Sequence, residues 1–311
     1  MYDSCHLLEY IPAANKVCSI DCIQIMSLDS TNIQPDHWIK IANTVRERFS
    51  DYDGFVITHG TDTMAYTAAI LSYMLQNSSK PIVVTGSQKP IDAEKTDAKR
   101  NLSASIYFAC ENSGGVFIVF NGIVINGSRA VKIRTKSNNA FESINYPIVA
   151  RIRGRKVSYN PDYSLPPEES GDLNFFSSIA KDVILIKLMP GMTHDIFDHI
   201  RGHYRGVVIE SFGSGGVPFL GEPSILLSVE ELVKSGVIVV ITTQCLLEGG
   251  NLNLYEVGKK VLKSNILPAY DMTTEAAVTK LMWALGQAVD FETVRRLFLT
   301  PVNHDLAFNG A

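Results

Sequence analysis

Six short apolar runs, each breaking into a polar turn, constrain this chain more than any other feature. Asp53–Thr58 (DGFVIT), Pro81–Thr85 (PIVVT) and Val116–Phe120 (VFIVF) lie in the first half. Val183–Lys187 (VILIK), Gly206–Glu210 (GVVIE) and Val237–Thr242 (VIVVIT) lie in the second. Runs this short and this rich in β-branched residues read as buried strands. Between them the periodicity changes. Asp36–Phe49 places Trp38, Ile41, Val45 and Phe49 on one stripe behind Pro35, and Thr63–Gln76, Asp97–Glu111, Ser228–Lys234 and Thr274–Gly286 also read as helices. Strand–helix alternation predicts an α/β protein with mainly parallel sheets covered on both faces.

The alternation lapses between Tyr159 and Ser177, where Pro161, Pro166, Pro167, Gly171 and several acids replace it. That stretch reads as an exposed connection between two α/β domains, residues 1–165 and a smaller 180–311. A 46% hydrophobic and 19% charged composition supplies a real core. Net charge is −4 and no basic stripe stands out, which argues against a nucleic-acid partner. No apolar stretch is long enough to span a membrane, and Met1–His6 lacks the pattern of a signal peptide. Five cysteines, an odd number in no dense framework, fit a cytoplasmic location. Cys18 and Cys22 have a metal-like spacing but no second pair to complete four ligands. His199 and His203, with Asp195 and Asp198 near, form a possible metal face that reads better as a surface helix end.

In open α/β sheets ligands bind beyond the C-terminal ends of strands, where backbone NH groups and helix N-termini favour anions. Ser27–Thr31, Thr58–Thr63 and Thr85–Gln88 are the polar segments to inspect. Thr58-His59-Gly60-Thr61-Asp62-Thr63 offers a hydroxyl that a base can activate and a carboxylate that can orient that base or hold an ammonium. Helix capping is the competing reading. Leu28-Asp29-Ser30-Thr31-Asn32 has groups to grip a small substrate, or forms a turn and cap. Thr85-Gly86-Ser87-Gln88 lines the same pocket through backbone NH groups, or is only a tight turn. Lys132 sits in Ser128–Lys136. A buried lysine beside a carboxylate can share protons with a threonine, but taken alone that run reads as a solvated basic patch. Ser211–Gly216 lacks the Walker lysine and the dinucleotide spacing, and reads as a loop at the domain interface.

At Thr58–Met64 the string THGTDTM, after a strand and before a helix, resembles the signature of bacterial-type L-asparaginases. Further resemblances follow in order: LDSTN at 28–32, TGSQKPI at 85–91, Lys132 nine residues before Phe141, ESFGSGGVP at 210–218, TTQC at 242–245, YEVGKK at 255–260 and DMTTEAAVTKL at 271–281. The version is most similar to the cytoplasmic type I enzymes. The resemblance implies hydrolysis of the side-chain amide of L-asparagine to aspartate and ammonia without metal or cofactor, by a homodimer or homotetramer. It implies that Thr61 is a catalytic threonine whose basicity Lys132 raises together with Asp62. It also implies that Asp62 pairs with the substrate ammonium, and that Ser30, with Asp29 and Thr31, holds the α-carboxylate and amino groups.

One departure accompanies the match. The family begins with a strand running into TGGTI, whose first threonine is usually assigned as the nucleophile, and this sequence contains no TGGT. The expectation is therefore a large domain lacking the family's first strand, in an N-terminally truncated form of a functional enzyme. Two other functions compete: the amidase component of a tRNA-dependent amidotransferase, and a non-catalytic asparagine- or aspartate-binding protein.

Overall fold

A computed structural model describes residues 4–163, 173–221, 224–252 and 265–306. The chain divides into two units, Met1–Ser177 and Ser178–Ala311.

The first unit contains helices α1 (Ser4–Leu7), α2 (Pro35–Glu47), α3 (Met64–Met74) and α4 (Ala98–Ala109). Its strands are β1 (Phe55–Thr58), β2 (Leu75–Gln76), β3 (Pro81–Thr85), β4 (Gly115–Phe120), β5 (Ile123–Asn126), β6 (Ala130–Lys132), β7 (Phe141–Ser143), β8 (Ala150–Arg153), β9 (Lys156–Tyr159) and β10 (Asn174–Phe175). The main sheet runs β1-β3-β4-β5-β8-β9. Pro35 starts α2, aided by a capping box between Gln34 and His37. Its buried residues Trp38, Ile41, Ala42 and Val45 follow the helical stripe. Helix α3 is buried almost all round. Every residue of β3 is buried, which explains its unbroken apolar run. Behind it Val83, Phe108, Phe117, Val119 and Val124 belong to one core.

The second unit has β11 (Val183–Lys187), β12 (Gly206–Ser211), β13 (Ile238–Thr243) and β14 (Leu267–Pro268) in that order, all parallel. Helices α5 (Asp195–His203), α6 (Ile225–Lys234), α7 (Thr274–Gln287) and α8 (Phe291–Leu299) accompany them. Phe197, Val207, Ile209, Val229, Val239 and Ile241 belong to its core.

The α/β class is the one that strand–helix alternation predicts, with differences in detail. Only β1, β3 and β4 of the larger sheet are parallel; β5, β8 and β9 are antiparallel. Asn121 and Gly122, both at positive φ, make the two-residue turn from β4 to β5. Such a pair matches the right-handed twist of a hairpin. The expected helix at Thr63–Gln76 ends at Met74, and Leu75–Gln76 pairs instead with Asn174–Phe175. The stretch 159–177 is therefore not wholly an exposed connection: it contributes β10, and Tyr163 is buried. The solvated-patch reading of Ser128–Lys136 also fails, because Ser128, Arg129 and Ala130 are buried and the Arg129 guanidinium lies over the Tyr146 ring. Among the described residues β1 is one edge of the sheet and β9 the other, and residues 19–29 form no strand.

Candidate active site

Thr58–Thr63 leaves the C-terminal end of β1 and enters α3. The His59 N–H donates to the Thr85 carbonyl at 2.7 Å, which ties this loop to the end of β3. Two glycines permit the crowding here. A Cβ on Gly60 would lie 2.6 Å from Ser30 Oγ, and one on Gly86 would lie 2.1 Å from the His59 carbonyl oxygen. Neither site has room for a side chain.

This packing brings three sequence segments together. The Thr63 hydroxyl donates to the Ser30 carbonyl at 2.7 Å, and the Asp62 N–H donates to Ser30 Oγ at 3.3 Å. Thr63 stands at the N-cap of α3 without making a side-chain capping bond, so capping does not account for the polar run. Among the described residues the Thr61 N–H has no hydrogen-bond partner.

Lys132 arrives from the hairpin of β6 and β7, where it faces Phe141. Phe141 is buried and packs at a tilt against Phe120, with centroids 5.1 Å apart, which anchors the hairpin. From there Lys132 Nζ donates to Thr61 Oγ1 at 2.7 Å and to Asp62 Oδ1 at 2.6 Å. The lysine side chain is 17% exposed and the Asp62 side chain 54%. One ammonium thus bridges a hydroxyl and a carboxylate, an arrangement able to pass protons between them.

Asp29 and Thr31 behave differently from Ser30. The Asp29 carboxylate accepts from both the N–H and the hydroxyl of Thr31, each at 2.9 Å. Those bonds hold its pKa below the usual carboxylate value, and they cap a short 3-10 turn over Ser30–Asn32. Ser30 is the residue of the three whose bonds reach the Thr61 loop.

The turn after β3 does not present its backbone as expected. The N–H groups of Gln88 and Lys89 are both taken by the buried Asp97 carboxylate, at 3.0 to 3.2 Å. Asn101 donates to the Gly86 carbonyl at 2.9 Å and to Asp97 at 3.1 Å. The side chain of Gln88 is what reaches the site: its Oε1 accepts from the Thr61 hydroxyl at 3.4 Å. Sequence reasoning misses this side chain and its anchor, because nothing in the spacing of Gln88 and Asp97 announces their pairing.

His59 carries no role in the residue pattern either, and the network fixes its form. Trp38 Nε1 donates to Thr67 Oγ1 at 2.9 Å. The Gly60 carbonyl can only accept, so Nδ1 carries the ring proton toward it at 2.6 Å, and Nε2 faces the Thr67 hydroxyl at 3.0 Å. The ring is neutral, and burial pushes its pKa below the ordinary value. It buttresses the loop.

Elsewhere, the His199 and His203 rings stack with centroids 4.2 Å apart, and His203 Nδ1 is bonded to the His199 carbonyl. Burial, with Cys18 adding to the effect, pushes the Cys110 thiol up to about 11. The YEVGKK segment lies outside the described residues.

Residues 2–164 match the family described as Asparaginase, N-terminal, and residues 182–298 match the Glutaminase/Asparaginase C-terminal domain. An L-asparaginase of Thermococcus kodakarensis is 40% identical over 278 residues, covering 89% of this chain and 83% of that protein. A Glutamyl-tRNA(Gln) amidotransferase component of Pyrococcus abyssi is 36% identical over 306 residues, covering 94% of this chain and 68% of that protein. The solved thermostable L-asparaginase from Thermococcus kodakarensis superposes with a TM-score of 0.88 at 37% identity, covering 96% of this chain and 90% of that one. L-asparaginase I from Vibrio cholerae superposes with a TM-score of 0.81 at 30% identity, covering 90% and 84%. With both of its halves matched in order and its fold shared with solved members, the chain belongs to the asparaginase family of amide hydrolases.

Proposed function

We propose that this chain hydrolyses the side-chain amide of L-asparagine at Thr61, with Lys132 and Asp62 moving the proton. The observation that carries the reading is the Lys132 ammonium seated between Thr61 Oγ1 and Asp62 Oδ1 at 2.7 and 2.6 Å. Thr61 Oγ1 attacks the carboxamide carbon. Its proton passes to Lys132 Nζ while Lys132 passes one of its own to Asp62, so the hydroxyl is activated without a strong external base. Asp62 then returns that proton through Lys132 to the amide nitrogen, the C–N bond breaks and ammonia leaves. Water then cleaves the resulting ester to release aspartate and restore the threonine. The Thr61 N–H supports the developing oxyanion.

Ser30, with Asp29 and Thr31, holds the α-carboxylate and amino groups of the substrate, and Asp62 pairs with its ammonium. No metal or cofactor takes part. The protein acts in the cytoplasm as a homodimer or homotetramer.

An ammonia-release assay on L-asparagine, run beside calorimetry with L-aspartate, tests the reading. Turnover together with aspartate binding supports it. Aspartate binding without turnover identifies an amino-acid-binding protein instead.

A further inference from the structure

The side-chain amide of Gln88 is a junction. Its Nε2 donates to the carbonyls of Ser137 at 3.2 Å and Arg134 at 3.5 Å, both in the connection between β6 and β7. Carbonyl oxygens only accept, so these two bonds fix which end of the amide is nitrogen and turn Oε1 toward Thr61. There Oε1 accepts a hydrogen bond from the Thr61 hydroxyl at 3.4 Å, while Lys132 Nζ donates to the same threonine oxygen at 2.7 Å. The backbone of Gln88 is pinned by the buried Asp97 carboxylate, so its side chain works from a fixed point.

We infer that Gln88 is a positioning residue for Thr61: it holds the hydroxyl oxygen in line with Lys132 and couples that alignment to the connection between β6 and β7. The inference rests on the proposed roles of Thr61 and Lys132. An amide oxygen cannot keep a proton at neutral pH, so Gln88 is no base. Its bond is the longer of the two at Thr61 Oγ1 and yields when the hydroxyl turns its proton to Lys132. What remains is alignment. Without Gln88, the threonine oxygen is free to leave the line on which Lys132 can serve it, and small misplacements of a reacting group are costly.

The test is steady-state ammonia release from L-asparagine by the full chain and by Gln88→Leu, Gln88→Glu and Lys132→Met. Gln88→Leu keeps the bulk and loses all three polar contacts. Its kcat is expected to fall by roughly 10- to 100-fold with KM within about threefold. Gln88→Glu keeps an acceptor toward Thr61 but places a negative charge one hydroxyl away from Lys132. It should therefore move the pH limb that reports Lys132 upward, because a carboxylate favours the ammonium. A purely structural glutamine would alter thermal stability or KM and leave that limb in place.

Wild-type kcat in Gln88→Leu, or an unmoved limb in Gln88→Glu, overturns the inference. Loss of activity in Lys132→Met beside full activity in Gln88→Leu removes the Gln88 role alone. Full activity in Lys132→Met removes the reading of the centre. The coupling is also readable without turnover, from the Lys132 13Cε resonance. An upward-shifted titration in Gln88→Glu supports the inference, and superimposable titrations in the two proteins contradict it.

Discussion

Lys132 Nζ stands 2.7 Å from Thr61 Oγ1 across 71 residues of sequence. The same nitrogen is 2.6 Å from Asp62 Oδ1, so a single side chain governs both neighbours. Lys132→Met should lower kcat by roughly 10²- to 10⁴-fold, the usual worth of positioned proton transfer, with KM changed far less. Lys132→Arg should not rescue it, since a guanidinium stays charged and cannot pass its proton on. Steady-state kinetics on the two variants checks both statements.

The neutral His59 predicts an acid dependence of stability. Its folded pKa is lowered from 6.5, chiefly by burial. The unfolded chain takes up a proton near that value and the folded chain does not, so this contribution is intact above 6.5 and lost as pH falls toward the folded value. His59→Asn keeps a donor for the Gly60 carbonyl and does not titrate. Its melting temperature should fall less steeply than the wild type's between about pH 6.5 and pH 5 by calorimetry.

Such networks mark the limit of what the residue pattern reveals. The strands at Pro81–Thr85, Gly206–Glu210 and Val237–Thr242 are legible because both faces are buried, which demands continuous apolar runs. The antiparallel strands β5, β8 and β9 are four residues each, and the strand–helix alternation around them masks the Asn121-Gly122 turn that announces the first. At the site, Thr61, Asp62 and Ser30 stand out because each closes a strand or a turn in a dense polar run. Lys132 does not stand out on its own. Its shelter comes from a hairpin of two three-residue strands held by Phe141, and neither charge nor period in the chain marks that arrangement. Gln88 is visible as part of a turn, but Asp97, which takes its backbone N–H and leaves the side chain to do the contacting, lies nine residues on, just ahead of α4.

In the second unit, burial raises Glu275 from 4.5 to about 7, and the charge of Glu210 adds to the effect. The folded state keeps this proton where the unfolded state has shed it. The associated stability is full below 4.5 and is lost as pH rises to about 7. Glu275→Gln should therefore melt higher than the wild type at alkaline pH, by up to about 3 kcal/mol, with the difference closing near the unfolded value. Equal melting curves at all pH values would show that the carboxylate is not strained by its burial.

Lys280 and Asp305 form an ion pair of 2.6 Å with neither side chain exposed. Lys280 also donates to the Thr300 carbonyl at 2.7 Å, so α7 is tied to the chain beyond α8. Asp305→Ala strands a buried ammonium and should cost about 3–5 kcal/mol in denaturant unfolding. Lys280→Met combined with Asp305→Leu should recover much of that loss, because two apolar groups leave no buried charge unmet.

The proposed chemistry turns on Thr61. The decisive comparison is ammonia release from L-asparagine by Thr61→Ala and by the unaltered chain, at equal folded concentrations shown by matching circular dichroism and melting curves. If Thr61 carries the reaction, the unaltered chain turns over and Thr61→Ala loses activity on the order of 10³-fold or more. Equal rates from the two proteins would contradict it.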